Sequence, residues 1–396
     1  MKEKLYKLFQ TFFRSGSVGG IVLILCVLAS LVIANSPSGA PFENLLSTEI
    51  GYANSGLHLK YSVLIWINDG LMAIFFLMVG LEIKRELIEG ELSSLKKAAL
   101  PIFAALGGVL VPALIYFAFN QGTRVAGGWG IPMATDIAFA LAVVTLLGNR
   151  VPASLKIFLA ALAIVDDLAA IVVIALFYST DLHFAYLAYA AAVFLGLLIM
   201  NWRGVTRPVF YLVPGLLIWY FIHHSGIHAT IAGVLTAFTL PTTEDDTPST
   251  LERVEHALIK PVNFIIMPLF ALVNTNIRFE PGMVDGLTTT LGMGIVLGLL
   301  VGKPLGISLF SWLSVKGGLC VLPAGGRWPH LIGLGILGGI GFTMSIFIAL
   351  LSFPDQPAVA AKAKFAILTG SVLAGTLGYA FLNAISKKQG VTDEIG

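Results

Sequence analysis

The sequence predicts an all-α protein that crosses a membrane many times, and three observations lead to this prediction. Hydrophobic residues make up 57% of the 396 residues and charged residues only 12%, whereas about 25% of the residues in soluble domains are charged. The mean hydropathy is +0.89. Apolar runs of the length that crosses a lipid bilayer recur along the whole chain. We therefore predict one integral membrane domain over 1–396.

Twelve of these apolar runs are predicted to be transmembrane helices, found with a window of about 20 residues. They lie near 18–35, 63–86, 97–119, 124–147, 154–177, 184–201, 206–222, 226–241, 255–276, 289–313, 329–351 and 363–386. The net charge of +2 is too small to indicate nucleic-acid binding.

The distribution of Lys and Arg predicts the orientation of the helices. Lys2, Lys4, Lys7 and Arg14 precede the first apolar run. Because that run is long and a multispanning body follows, we expect an uncleaved first helix and not a signal peptide. With the N-terminus in the cytoplasm, most of the loop Lys and Arg residues fall on the cytoplasmic side. The positive-inside rule then predicts that both termini are cytoplasmic.

The longest outer loop, 36–62, contains a predicted β-hairpin. The segment LHLKYS alternates apolar and polar residues, and the turn-forming triplet Asn54-Ser55-Gly56 precedes it. We place the hairpin within 45–62, outside the membrane. An exposed hairpin edge can pair with another strand, so we predict that the protein forms a homodimer through this hairpin.

Four ionisable residues stand inside apolar runs. Asp136 lies in the fourth run, the adjacent Asp166 and Asp167 in the fifth, and Lys303 in the tenth. Each mid-membrane Asp costs roughly 2.5–3.5 kcal/mol on the insertion scale, so such residues indicate an ion or proton pathway. Lys303 is far from either end of its run. A salt bridge to one of the aspartates is therefore favoured over snorkelling of the lysine to the interface.

Glycine and proline interrupt two of the runs. The fourth contains AGGWGIPMATD (126–136) and the eleventh contains IGLGILGGIGFTMS (332–345). Irregular backbone at membrane depth is tolerated where it is buried or lines a cavity, and two matching interruptions indicate a transporter binding site. We predict an inverted repeat of helices 3–5 and 10–12, with helices 4 and 11 crossing at their breaks. Asp136 and Lys303 would neutralise the helix ends there. Close packing of glycine-rich helices is the alternative explanation.

These motifs resemble those of the NhaA-type bacterial sodium/proton antiporters. The resemblance covers essentially the whole chain and rests on ATDIAFA, LAIVDDLAAI, VGKPLGI, GGIGFTMSIFIALL, LMVGLEIKREL and SGIHATIAG. It implies a homodimeric protein of the bacterial inner membrane that is not an enzyme, uses no cofactor, and becomes active at alkaline pH. Such a protein exports Na⁺ or Li⁺ and takes in H⁺. Core helices would lie within 97–177 and 289–386, and interface helices within 18–86 and 184–276.

The resemblance also implies roles for the intramembrane residues. Asp166 and Asp167 would form the ion site, Thr135 would be a further ligand, and Asp136 and Lys303 would balance the crossed helices. Sodium ions and protons would then compete for the same carboxylates. Exchanging two protons for one sodium ion moves one net charge, worth about 2.3 kcal/mol per 100 mV. Two schemes remain open: both aspartates bind the ion, or sodium binds Asp167 while Asp166 pairs with Lys303 until a proton breaks the pair.

Two clusters of charge flank the second and ninth spans on the predicted cytoplasmic side. They are candidates for the pH sensing that the resemblance implies. The acidic members do not fit the alternative of ordinary flanking charge, because acids contribute little to orientation. The candidate residues are Glu82, Arg85, Glu86, Glu252, Glu255 and His256.

Two other functions compete with antiport. An intramembrane aspartyl protease also needs two buried aspartates, but those enzymes share a GxGD-type motif, whereas the contexts here are ATD and VDD. A channel, or a proton-coupled transporter of another small solute, is the second alternative. A carrier of organic anions would need cationic site residues, and only Lys303 lies deep in an apolar run.

Overall fold

The computed structural model is mostly helical and describes residues 2–54, 58–179, 181–243, 248–280 and 282–393, with the side chains described from residue 18 to residue 386. The chain divides into two compact units, each assembled from separate stretches of sequence. Unit 1 comprises the described residues of 1–15, 21–85 and 174–278, and unit 2 those of 16–20, 86–173 and 279–396.

Unit 1 contains most of a long first helix, a hairpin and six further helices, of which α3 ends just inside unit 2. In chain order these are α1 (Lys2–Ala34), α2 (Gly39–Ser47), β1 (Glu49–Ala53), β2 (His58–Ser62), α3 (Val63–Ile88), α4 (Phe184–Trp202), α5 (Val209–His223), α6 (Ile231–Thr239) and α7 (Thr250–Asn274). Two π-helical turns interrupt α3 and α7, at Trp66–Leu71 and Val262–Ile266.

Unit 2 contains the two interrupted segments. Its α-helices are α8 (Leu95–Asn120), α9 (Ile137–Leu146), α10 (Ala153–Phe177), α11 (Thr290–Lys316), α12 (Trp328–Gly338), α13 (Phe342–Ser352) and α14 (Pro357–Asp393). Short 3₁₀ helices span Ala126–Met133, Gly148–Arg150 and Asp285–Thr288. A π-helical turn at Gly298–Gly302 lies immediately before Lys303 in α11.

Helices α8 and α11 approach each other closely at a pair of glycines. A Cβ atom on Gly107 would lie 2.1 Å from the carbonyl oxygen of Gly306, and a Cβ on Gly306 would lie 2.1 Å from that of Gly107. Only glycine fits at either position. Small residues of this kind let membrane helices gain van der Waals contact along their backbones.

The predicted hairpin is present. Strands β1 and β2 pair antiparallel with Glu49 opposite Ser62 and Ala53 opposite His58. The turn between them was predicted at 54–56, and residues 55–57 lie outside the described ranges. The sequence did not predict α2, which occupies the same outer loop just before β1.

Eight helices among the described residues are long and apolar enough to cross a membrane, and up to ten are if each bent helix pair is one span. The chain is therefore a polytopic helical membrane protein, and twelve crossings stay a prediction. The difference lies partly in two predicted runs that form the short helices α5 and α6, of 15 and 9 residues. Gly226, at φ +85°, lies in the turn between them.

Candidate functional site

Asp166 and Asp167 are both buried in the middle of α10. Adjacent residues on a helix point about 100° apart, so the two carboxylates face different neighbours. Lys303 lies on α11 and is fully buried, and its Nζ lies 2.5 Å from Asp166 Oδ2. The sequence left open whether this lysine pairs with Asp166. The structure contains that ion pair, with both side chains 0% exposed.

Thr135 connects this ion pair to the interrupted segments. Its hydroxyl lies 2.7 Å from Asp166 Oδ2 and 2.9 Å from the carbonyl oxygen of Gly338, and its single proton can serve one acceptor at a time. Asp166 Oδ1 is buried and accepts no hydrogen bond from the described part of the chain. The site therefore places carboxylate, hydroxyl and carbonyl oxygens together, the ligand type that hard cations prefer.

The described residues include no group of three or more His, Cys, Asp or Glu side chains that could hold a metal ion. A sodium ion bound near Asp166 and Asp167 would thus need ligands beyond the two carboxylates. Hydroxyl oxygens, backbone carbonyls and water molecules can supply them.

The interruptions in the two segments contact each other through Asp136. Its backbone N–H donates to the Ile340 carbonyl over 2.7 Å. Its carboxylate caps the N-terminus of α9 by accepting from Phe139 N at 3.1 Å. The other carboxylate oxygen accepts from Thr343 N, also at 3.1 Å, and from the Thr343 hydroxyl. One buried carboxylate therefore faces the positive ends of both α9 and α13.

Neutral groups satisfy the opposite, carbonyl ends. Ser345 Oγ donates to the Ile131 carbonyl over 2.6 Å, and the Gly338 carbonyl lies within reach of the Thr135 hydroxyl. A neutral group also contributes at an N-terminus: Ser371, on α14, accepts from the first backbone N–H of α13 at 3.1 Å. No role was predicted for Ser345 or Ser371. A hydroxyl just after a glycine-rich break signals the first, whereas no local pattern signals the second.

The predicted pH-sensing residues lie near the end of α3 and at the start of α7. Within unit 1, Arg85 Nε lies 3.1 Å from both carboxylate oxygens of Glu255, and both residues are largely buried. Glu82 and Glu86 are also buried. Glu86 accepts a hydrogen bond from the backbone N–H of Glu91 at 2.9 Å. The ion pair between Arg85 and Glu255 is a contact that depends on the charge of both residues.

Glu252 and Lys84, which belong to the same two charged segments, stabilise the ends of helices. Glu252 forms a capping box with Ser249 at the N-terminus of α7, with hydrogen bonds of 2.7 and 3.2 Å. His256 is exposed. Lys84, beside Arg85 on α3, donates to two carbonyls at the C-terminal end of α6, each over 2.7 Å. A lysine in this position stabilises the helix end.

Comparison with known proteins assigns the family. The model of the family described as Na+/H+ antiporter 1 matches residues 10–382. The sodium/proton antiporter NhaA 2 of Flavobacterium johnsoniae is 63% identical over 384 residues, which cover 97% of this chain and 94% of that protein. The NhaA antiporter of Dechloromonas aromatica is 51% identical, with 96% and 97% of the two chains covered.

A more distant relative gives the same result. The NhaA antiporter of Shigella dysenteriae serotype 1 is 48% identical over 379 residues, or 95% of this chain and 98% of that protein. The resemblance read from the motifs is confirmed over the whole length. The chain belongs to the Na+/H+ antiporter 1 family.

Proposed function

We propose that this sodium/proton antiporter works by alternating access, with Asp166 and Asp167 as the carboxylates for which the two ions compete. It is a transporter and not an enzyme, so the protease alternative has no support. The family supports the exchange reaction. The observation that carries the site assignment is the buried ion pair between Asp166 and Lys303, directly beside Asp167 and the interrupted segments.

The ion pair favours one of the two schemes. Sodium binds at Asp167, and Asp166 stays paired with Lys303 until a proton breaks the pair. The sodium-loaded site, with the pair intact, is neutral overall. The proton-loaded site has two neutral carboxylic acids and a lysine cation, so it carries one positive charge. Two protons enter for each sodium ion that leaves, and the membrane potential contributes about 2.3 kcal/mol per 100 mV to each cycle.

Thr135 is the further ligand in this scheme. While Lys303 binds Asp166, the Thr135 hydroxyl can donate to the same carboxylate oxygen. The hydroxyl oxygen keeps two lone pairs whichever acceptor its proton points to, and when the proton turns toward the Gly338 carbonyl the oxygen can face a cation beside Asp166. Lithium, which is also a hard cation, would use the same oxygens. We therefore propose that the protein transports Li⁺ as well as Na⁺.

The proposed architecture has twelve crossings, with helices 3–5 and 10–12 as an inverted repeat and helices 4 and 11 crossing at their breaks. Three contacts support it: the reciprocal approach of Gly107 and Gly306, the capping of α9 and α13 by Asp136, and the bond between Ser345 and Ile131. Breaks that hold each other can move together, as alternating access requires. The membrane is the bacterial inner membrane, with both termini in the cytoplasm.

We propose two further properties of the assembly. The hairpin over 45–62 joins two copies into a homodimer, because β1 and β2 form a two-stranded sheet whose outer edges can pair. The ion pair between Arg85 and Glu255 ties α3 to α7 and opposes opening of the cytoplasmic mouth. Because an arginine keeps its charge across the pH range of activation, the titration that overcomes this contact takes place at other groups of the mouth. Glu82 contributes to this control, and Glu86 and His256 contribute less. Glu252 acts there through the N-terminus of α7 that it caps.

The test is sodium-driven proton movement in proteoliposomes that hold the purified full-length protein. Asp166→Asn and Asp167→Asn are each expected to abolish it, because each removes a charge that the cycle must neutralise. Asp355→Asn is the control, since this exposed carboxylate lies outside the site. Normal exchange in either site variant would overturn the assignment. Exchange that appears only when an organic solute is added would overturn sodium/proton antiport itself.

A further inference from the structure

Unit 1 contains a cavity of about 760 Å³ that the proposed function does not use. Residues of α3, α5 and α6 line it, with Leu258 of α7 and with Ile50 of β1 at the hairpin end. Trp66 and Trp219 stack against each other in its wall, with 5.9 Å between ring centroids. Its size is within the range of pockets that bind organic ligands.

The polar groups of the lining are already hydrogen-bonded within the protein. The indole N–H of Trp66 donates to the Ile50 carbonyl over 3.0 Å, and that of Trp219 to the Asp69 carbonyl over 3.3 Å. The remaining side-chain hydroxyl, of Thr236, donates to the Ala232 carbonyl over 2.8 Å. All other residues that line the cavity are apolar. A polar ligand would lose its hydrogen bonds to water without replacement, so the lining selects hydrocarbon.

One end of the cavity adjoins polar and aromatic side chains. Tyr61 packs edge-on against Trp66 and against His223, with centroid distances of 6.0 and 4.8 Å. His223 Nδ1 lies 3.2 Å from a carboxylate oxygen of Asp69. Tryptophan and tyrosine are enriched at the level of lipid headgroups. The hairpin end is therefore chemically suited to a headgroup, and the rest of the cavity to a hydrocarbon chain.

We propose that this cavity binds one acyl chain of a phospholipid from the surrounding bilayer, with the headgroup beside Tyr61 and His223. Burial from water cannot drive this binding, because the rest of the bilayer is equally apolar. Selectivity comes from the fit of the chain against the two indole rings and the small residues of the wall. These include Gly70, Ala73 and Gly233.

The experiment uses the full-length protein in detergent, with Trp129, Trp202, Trp312 and Trp328 replaced by Phe. Only Trp66 and Trp219 then report by fluorescence. A phosphatidylcholine with brominated acyl chains is added at a low mole fraction of the micelle. Bromine quenches indole fluorescence only at close contact. We expect saturable quenching at one lipid per chain.

A pair of filled variants and a pair of controls test the location. Val213→Phe and Ile74→Phe enlarge residues in the cavity wall. Leu195→Phe and Leu198→Phe make comparable changes on α4, away from the cavity. The exposed fractions match closely, 57% and 36% for the first pair against 57% and 37% for the second. The filled double variant is expected to lose the saturable quenching, and the control double variant to keep it.

Three results would overturn the proposal. Quenching that rises linearly with lipid in all variants would mean ordinary contact with the micelle. Saturable quenching that survives in the filled variant would place the lipid elsewhere. If a second copy of the chain covers the cavity, quenching will be weak, and the filled variant will form a weaker dimer. Native mass spectrometry of each variant counts the retained lipids and the copies, and confirms that the filled variant is folded.

Discussion

Replacing Lys303 by glutamine is predicted to remove the electrical component of the exchange. In the proposed scheme Lys303 carries the one charge by which the proton-loaded and sodium-loaded sites differ. Without it, Asp166 is buried with no counter-charge and keeps a proton through the cycle, because a lone buried carboxylate becomes neutral. Only Asp167 then exchanges its ion, and one proton enters for each sodium ion that leaves.

Two effects of the substitution can be given a size: the loss of voltage dependence and the loss of stability. One net charge per cycle at 100 mV is worth about 2.3 kcal/mol, which is roughly a fifty-fold change in the sodium ratio at balance, since 1.36 kcal/mol is a factor of ten. For Lys303→Gln the factor should be one. Both side chains of the pair are fully buried, and removing one partner of such a pair destabilises a protein by about 3–5 kcal/mol. The double variant, Asp166→Asn with Lys303→Gln, should recover much of that loss.

The assay holds proteoliposomes at a fixed potassium diffusion potential and finds the sodium ratio at which net exchange stops. Lys316→Gln is the matched control, because Lys316 is an exposed lysine on the same helix, α11. Thermal unfolding of the single and double variants measures the stability of the pair. A folded Lys303→Gln variant whose balance point still moves about fifty-fold per 100 mV would refute the scheme. A double variant less stable than both single variants would refute the stability argument.

Three further predictions concern the rest of the site. Asp136→Asn should keep partial exchange, because an amide oxygen can still accept from one helix end. A rate no higher than that of a vesicle without protein would contradict this. Glu255→Gln should move the midpoint of activity between pH 6 and 9 to lower pH with little change in maximal rate, and an unmoved midpoint would exclude its ion pair from pH control. Gly107→Ala should lower the unfolding temperature and the yield of folded protein, because its Cβ would lie 2.1 Å from a facing carbonyl oxygen. Gly127→Ala has no neighbour within 4 Å of the new atom and serves as the control. Equal thermal stability of these two variants would contradict the packing argument.

The sequence predicted the candidate residues of the site but not the contacts between them. A charge in a long apolar run is visible without a structure, because its cost of insertion has to be offset by something specific. Asp136, Asp166, Asp167 and Lys303 were found in this way. Which aspartate forms the ion pair with Lys303 depends on how α10 is rotated about its axis relative to α11. Spacing along one helix does not determine that rotation, so the partner had to come from the structure.

The limits of the helices were predicted less well, for a related reason. Hydropathy gives the length of an apolar run but not the point where the backbone turns. Two apolar runs therefore became the short helices α5 and α6, and α2 formed in a loop where the hairpin alone was expected. The hairpin itself followed from alternation and turn residues, which are local signals.

The contacts of the two breaks explain why Lys303 is available to Asp166. Two helix N-termini and two carbonyl ends meet at the breaks. From the sequence we predicted that the charges of Asp136 and Lys303 neutralise these ends. In the structure the Asp136 carboxylate serves both N-termini, while Thr135, Ser345 and the Asp136 backbone N–H serve the carbonyls. Hydrogen bonds from neutral donors satisfy carbonyl oxygens without a cation. A lysine held by the helix ends would have a fixed charge, whereas a lysine paired with a carboxylate that can take up a proton can alternate between two states. In the proposed scheme, the second arrangement would let one proton break the pair at Asp166 while sodium and another proton compete at Asp167, the adjacent position of α10.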